Sequence, residues 1–167
     1  MDKTSGRFDG WHAVVTGAGT GIGRAIALRL AREGAKLSLL ARDAARLEAT
    51  AREIRARGGA EALALPLDIR DRAAVERRFA EAREKMGPIR ALVANSGIGG
   101  PNGPASSRGG AVDRFDELVA TNLTGTYACL RAAERHLATG DESRHLVVIA
   151  SILARIGVAG YTGYCAS

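Results

Sequence analysis

Gly17, Gly19, Gly21 and Gly23 recur at every second position in VVTGAGTGIGRA. Glycines so spaced let a backbone turn tightly and approach a pyrophosphate with no Cβ in the way. The segment stands between an apolar run and an amphipathic one. It would therefore offer a phosphate the free N–H groups and the positive end of a helix. A glycine cluster alone is weak evidence, because many turns need glycine; between a strand and a helix it signals a dinucleotide. The spacing is T-G-x-x-x-G-x-G from Thr16, not G-x-G-x-x-G, since Ile22 and Arg24 occupy the remaining positions. A second candidate lies at Arg42 and Asp43, in LLARDAARLEA. A carboxylate there would accept bonds from ribose hydroxyls and favour NAD, whereas a guanidinium would pair with a 2′-phosphate and favour NADP. Both residue types are present, so the adjacency alone leaves the choice open. His12, His136 and His145 have no metal-ligand spacing and no C-x-x-C occurs, so no metal is expected.

The elements that must position these residues alternate regularly. Short apolar runs at 11–17, 36–42, 61–68, 89–97 and 145–151 read as strands. Amphipathic stretches at 21–34, 43–59, 70–87 and about 112–137 read as helices, with a further helix starting near Tyr161. Short buried strands separated by such helices predict an α/β fold, a Rossmann-like doubly wound parallel sheet in three α/β/α layers. Right-handed crossovers then place helices on both faces. GIGGPNGPASSRGG, residues 97–110, reads as a long loop after a strand C-terminus, where ligands bind in open α/β sheets.

Composition narrows the class. The chain of 167 residues is 46% hydrophobic and 25% charged, as expected of one soluble domain. No apolar run approaches the ~18 residues that suggest a membrane helix. The start MDKTSGRFDGW has no secretory h-region. Cys129 and Cys165 make no disulfide framework, Cys165 reads as a buried thiol, and a cytoplasmic location is expected. The net charge of +6 raises the question of nucleic acid. Its arginines, however, are interleaved with acids, as in ERRFAEAREK, which fits ion pairs one turn apart on solvated helices. With no basic run and few aromatics, nucleic acid is not the expected partner.

Beyond the glycines, further motifs follow in order: LDI at 67–69, ANSG at 94–97, TNLTG at 121–125, VVIAS at 147–151, and Tyr164 thirteen positions after Ser151. Together with TGAGTGIG they resemble the short-chain dehydrogenase/reductases, of the ketoacyl-reductase-like kind, over essentially the whole chain. The resemblance implies an oxidoreductase interconverting a carbonyl and a secondary alcohol by hydride transfer. It implies that Gly17, Gly19, Thr20, Gly21, Ile22 and Gly23 hold the cofactor, with Asp68 at the adenine and Ile69 contributing backbone. Asn95, Ser96 and Gly97 stand for the family's N-A-G element, with Ala94 in place of its first asparagine. The family's discriminating acidic position falls on Ala41, which makes Arg42 the 2′-phosphate partner and Asp43 a helix cap. NADP is thus the expected cofactor, with NAD disfavoured. Asp68 also stands where a helix N-cap would.

The resemblance gives Tyr164 the role of general acid, Ser151 that of orienting the carbonyl, and Asn122 that of supporting a helix kink and a water relay. Tyr161 is out of register and reads as structural or substrate-lining. The family motif Tyr-x-x-x-Lys puts its lysine directly after Ser167. A tyrosine hydroxyl ordinarily ionises near about 10, and such an ammonium would bring it toward working pH. A doubly wound fold has about six strands, and five are legible. The expectation is therefore one NAD(P)-binding domain, residues 1–167, whose later strands lie in a longer chain, leaving the fifth strand as an open edge. Homodimers or homotetramers are implied through the helix from about Val112 and the one at Tyr164. The alternative is a nucleotide-binding sensor of the same fold without turnover.

Overall fold

The structure, a computed structural model, describes residues 6–58, 60–100, 113–140 and 143–167. Of the loop expected over 97–110, residues 101–110 lie outside the described residues, and so does Val112, the expected start of the long helix.

Five strands form one parallel sheet: β1 His12–Thr16, β2 Lys36–Ala41, β3 Ala62–Pro66, β4 Ala91–Ala94 and β5 His145–Val148. Their order is β3-β2-β1-β4-β5. The register places Val14 between Ser38 and Leu92, and Val15 between Leu39 and Val93. Every residue of β1 is buried, as a central parallel strand covered on both faces requires. The strands alternate their side chains between two cores. Val14, Leu40, Leu65 and Leu92 meet Phe79 of helix α3 (Arg72–Met86) and Ala132 of helix α5 (Thr126–His136) on one face. Ala13, Val15, Leu37 and Leu39 meet Ala27 of α1 (Gly21–Arg32) and Leu47 and Ile54 of α2 (Ala44–Gly58) on the other. This is the expected doubly wound arrangement.

β5 pairs only with β4 among the described residues, and all four of its residues are exposed. With three apolar residues of its four exposed, β5 is an open edge of the sheet among the described residues.

The long helix differs from expectation in its interior. Helix α4 (Phe115–Leu118) passes into a π-helical stretch, Val119–Gly125, and then into α5. The wider turn brings Gly125 against Ile69, where a Cβ would fall 2.7 Å from Ile69 Cγ1. Helix α6 (Thr162–Ala166) packs back on α4, with Gly163 beside Leu118 and Phe115. The arginines pair as the interleaving predicts, for example Arg29–Glu33 and Lys85–Glu81 one turn apart.

Two local readings change. Helix α3 is capped by Asp71, whose side chain accepts from Ala74 N–H, and not by Asp68. Cys165 is half-exposed, whereas Cys129 is the buried thiol, and burial pushes Cys129 up to about 12. His12 is buried with both ring nitrogens engaged, at 2.8 Å to Gly87 O and 2.9 Å to Ser38 Oγ.

Candidate active site

The strand order reverses between β1 and β4, and the crevice at their C-terminal ends is where such sheets bind ligands. Two chain turns shape it. Gly17, at φ +67°, turns the chain out of β1. Gly23, buried in the first turn of α1, touches it: a Cβ at Gly23 would lie 2.4 Å from Gly17 O and 2.5 Å from Asn95 Nδ2. Thr16 fastens this turn to β4. Its Oγ1 accepts from Asn95 N–H (3.0 Å) and Ser96 N–H (2.9 Å), and Asn95 Nδ2 donates to Thr16 O at 3.1 Å. Asn95 thus spends its amide on holding the glycine turn. Thr16 is a site-building residue that the motif comparison leaves unassigned. Its signal was a hydroxyl at the last position of a fully buried strand.

The resulting cleft, about 520 Å³, is lined by Gly17, Gly19, Thr20, Gly21 and Ile22 on one side and Asn95, Ser96 and Gly97 on another. Arg42, Asp68 and Ile69 line it as well. All the residues read as cofactor-binding therefore reach one cleft, except Gly23, which packs beneath the turn. No side-chain cap closes the start of α1, so its first N–H groups open toward the cleft. Open amides, a helix N-terminus and an arginine on the same cleft fit a dinucleotide with its phosphates at the glycines.

Two further residues enter that sequence reading missed. Arg70 lines the cleft and forks onto Asp68, with Nε 3.0 Å from both carboxylate oxygens and Nη2 2.5 Å from Oδ2. This bond holds the Asp68 carboxyl below its usual range, and the positive charge of Arg42 adds to the effect. Asp68 Oδ1 also accepts from Arg70 N–H. Arg46 lines the cleft from α2 and pairs with Asp43. Asp43 accepts from Arg46 N–H at 3.0 Å, so it caps α2 as expected.

A second cavity of about 280 Å³ adjoins the first and shares Ile22, Asn95, Ser96, Gly97 and Ile98 with it. Asn122, Ser151 and Tyr164 all line it. They come from three separate elements: the π-helical stretch, the segment after β5, and α6. Asn122 holds the cavity floor, accepting from Ile98 N–H at 2.9 Å and donating to Ile98 O and Ser167 Oγ at 3.0 Å each. Ser151 Oγ accepts from Leu153 N–H at 3.2 Å, leaving its own proton to donate. Gly99 lies against the Tyr164 ring, where a Cβ would be 3.8 Å from Cε2. Tyr161 starts α6 and is not on this wall among the described residues. Ile22, 63% exposed, stands between the two cavities as an apolar partition. Among the described residues no group of three or more His, Cys, Asp or Glu could hold a metal.

The parallel sheet with helices on both faces and a glycine turn at its switch point defines a Rossmann-like α/β/α protein. Residues 11–167 match the family model for short chain dehydrogenase, and the chain belongs to that family. It is 35% identical over 162 residues to levodione reductase of Leifsonia aquatica and 34% identical over 161 residues to sorbitol dehydrogenase of Cereibacter sphaeroides, matching 96% of this chain each time. It spans 60% of the length of each of those relatives, and 28% of the "Probable oxidoreductase EphD" of Mycobacterium tuberculosis. A solved short chain dehydrogenase from Burkholderia cenocepacia J2315, in complex with NADP, superposes with TM-score 0.85 at 34% identity, covering 96% of this chain and 63% of that one. One from Burkholderia phymatum, in complex with NAD, superposes equally well at 30% identity, covering 95% and 55%. The solved relatives thus include one in complex with NADP and one in complex with NAD.

Proposed function

We propose that the protein is an NADP-dependent oxidoreductase that interconverts a small carbonyl compound and its secondary alcohol. The observation that carries this reading is the second cavity, where Asn122, Ser151 and Tyr164 meet directly beside the dinucleotide cleft. The nicotinamide cofactor supplies the hydride when bound. Tyr164 holds the proton that the developing alkoxide needs. Ser151, with its hydroxyl proton free, donates to the same oxygen and orients it. Asn122 is committed to Ile98 and positions the loop that walls the cavity. Arg42, on the wall of the cleft, is the 2′-phosphate partner, supported by Ala41 in place of a carboxylate.

The ketoacyl-reductase-like subtype and a lysine directly after Ser167 belong to the same reading, as do a homodimer or homotetramer and a cytoplasmic location. Leu123 and Tyr127, each about half exposed on one helical surface, suit a contact between copies. Among the described residues no helix is long and apolar enough to cross a membrane.

The test is NADPH-dependent turnover of a ketone panel by the full-length protein, beside Tyr164→Phe. The variant should bind NADPH unchanged while kcat falls by about 10²–10⁴, the usual worth of a general acid. NADPH binding without turnover of any ketone would identify a nucleotide sensor instead.

A further inference from the structure

The end of β2 carries one carboxylate between two guanidinium groups, and all three line the cofactor cleft: Arg42, Asp43 and Arg46. The Asp43 carboxylate has two tasks. Oδ1 accepts from Arg46 N–H at 3.0 Å and so caps α2. Oδ2 lies 3.1 Å from Arg46 Nε. Arg46 is rooted beside the glycine turn, since a Cβ on Gly19 would sit 3.4 Å from Arg46 Cβ. The same Cβ would lie 3.8 Å from Ala41 Cβ, so Arg46 and the residue just before Arg42 flank one glycine.

We propose that Arg46 is a second ligand for the 2′-phosphate and that Asp43 restrains it, so that Asp43 sets the strength of the NADP preference. This rests on the reading of Arg42 as the first such ligand. The Asp43–Arg46 pair is largely exposed, at 51% and 66%, and pairs of that kind are weak. A phosphate monoester carries nearly two negative charges and accepts two parallel N–H bonds from a guanidinium, so it outcompetes a carboxylate for Arg46. The displaced Asp43 carboxylate stays nearby as a like charge. It weakens binding of a 2′-phosphate and leaves a free 2′-hydroxyl untouched. Asp43 is a positioning residue, and it acts on selectivity rather than on binding as a whole.

The probes are adenosine 2′,5′-bisphosphate and 5′-AMP, titrated calorimetrically into the full-length protein. Asp43→Asn keeps the helix cap, because asparagine caps as well as aspartate. It should bind the bisphosphate about two- to fivefold tighter, the range set by a weak exposed pair, with 5′-AMP unchanged. Arg46→Gln should weaken the bisphosphate by a similar factor, and the double variant should show no gain from Asp43→Asn. An unchanged bisphosphate affinity in Asp43→Asn overturns the proposal. So does a gain that survives without Arg46, and so does an equal shift for both probes. Arg42→Ala separates the underlying reading: if it leaves discrimination between the probes intact, the assignment of Arg42 fails, whatever Asp43 does. If Arg42→Ala collapses discrimination while Asp43→Asn changes nothing, only the role of Asp43 and Arg46 fails.

Discussion

Replacing Gly23 with alanine sets two physical effects against each other. Gly23 is the third residue of α1, and alanine in a helix is favoured over glycine by about 0.8–1 kcal/mol. Propensity alone therefore predicts a more stable protein. The structure predicts the opposite. The new Cβ would lie 2.4 Å from Gly17 O, 2.8 Å from Gly17 C and 2.5 Å from Asn95 Nδ2. Two of those atoms are backbone and cannot rotate away, and the third is held by its bond to Thr16 O. Overpacking of this kind costs about 1–3 kcal/mol. Because the contact is with backbone, the upper part of that range applies, and the net loss is about 1–2 kcal/mol. With a urea slope of about 2 kcal/mol/M, the unfolding midpoint should drop by about 0.5–1 M. Relief must come from shifting the Gly17 turn, so NADPH affinity should fall by about tenfold, equivalent to about 1.4 kcal/mol. Gly157→Ala is the control: nothing lies within 4 Å of its Cβ, and its midpoint should hold or rise. A Gly23→Ala protein as stable as the wild type, with unchanged NADPH affinity, would refute the close-contact argument.

Thr16→Val keeps the shape of the side chain but strands the N–H groups of Asn95 and Ser96. It should cost about 1–3 kcal/mol in urea unfolding, while Thr16→Ser should cost much less; equal losses would mean that the hydroxyl is not what matters. Burial is the main cause holding His12 below the usual histidine range; its bond to Gly87 O opposes this, and the charge of Lys36 adds to it. The neutral ring is thus the folded form, and the unfolded chain takes up the proton first as pH falls below about 6.5. Stability should therefore be level above that pH and decline below it. His136 shifts in the same direction through its own burial, so His12→Asn should remove part of the decline between pH 7.5 and 5.5. An undiminished decline in the variant would exclude His12 as a source.

Strands and helices were largely legible because the central strands β1 and β2 are buried on both faces and read as nearly continuous apolar runs, HAVVT and KLSLLA. The π-helical stretch was not. VATNLTG carries two threonines, an asparagine and a glycine, all weak helix formers, but its wide turn packs Gly125 against Ile69, a contact between distant segments. The cap of α3 went to Asp71 rather than Asp68 because the helix begins at Arg72, which leaves Asp68 three residues short of the N-cap position. Composition placed a buried thiol at Cys165, but the thiol within the core is Cys129, on the face of α5 that meets the sheet.

By itself the sequence determined the layered α/β fold, the glycine turn after β1 and the family to which the chain belongs, because these rest on local spacing and on the order of motifs along the chain. Only the tertiary structure decided which side chains share a space. Thr16 meets Asn95 because β1 and β4 are neighbours in the sheet, although 79 positions separate them. Asn122, Ser151 and Tyr164 meet on one wall because a wide helical turn, a strand end and a short helix converge there. Arg24 reaches Glu53, and Arg135 reaches Glu76, because folding packs α1 beside α2 and α5 beside α3. Such partnerships depend on distances in space, and spacing along the chain does not encode them.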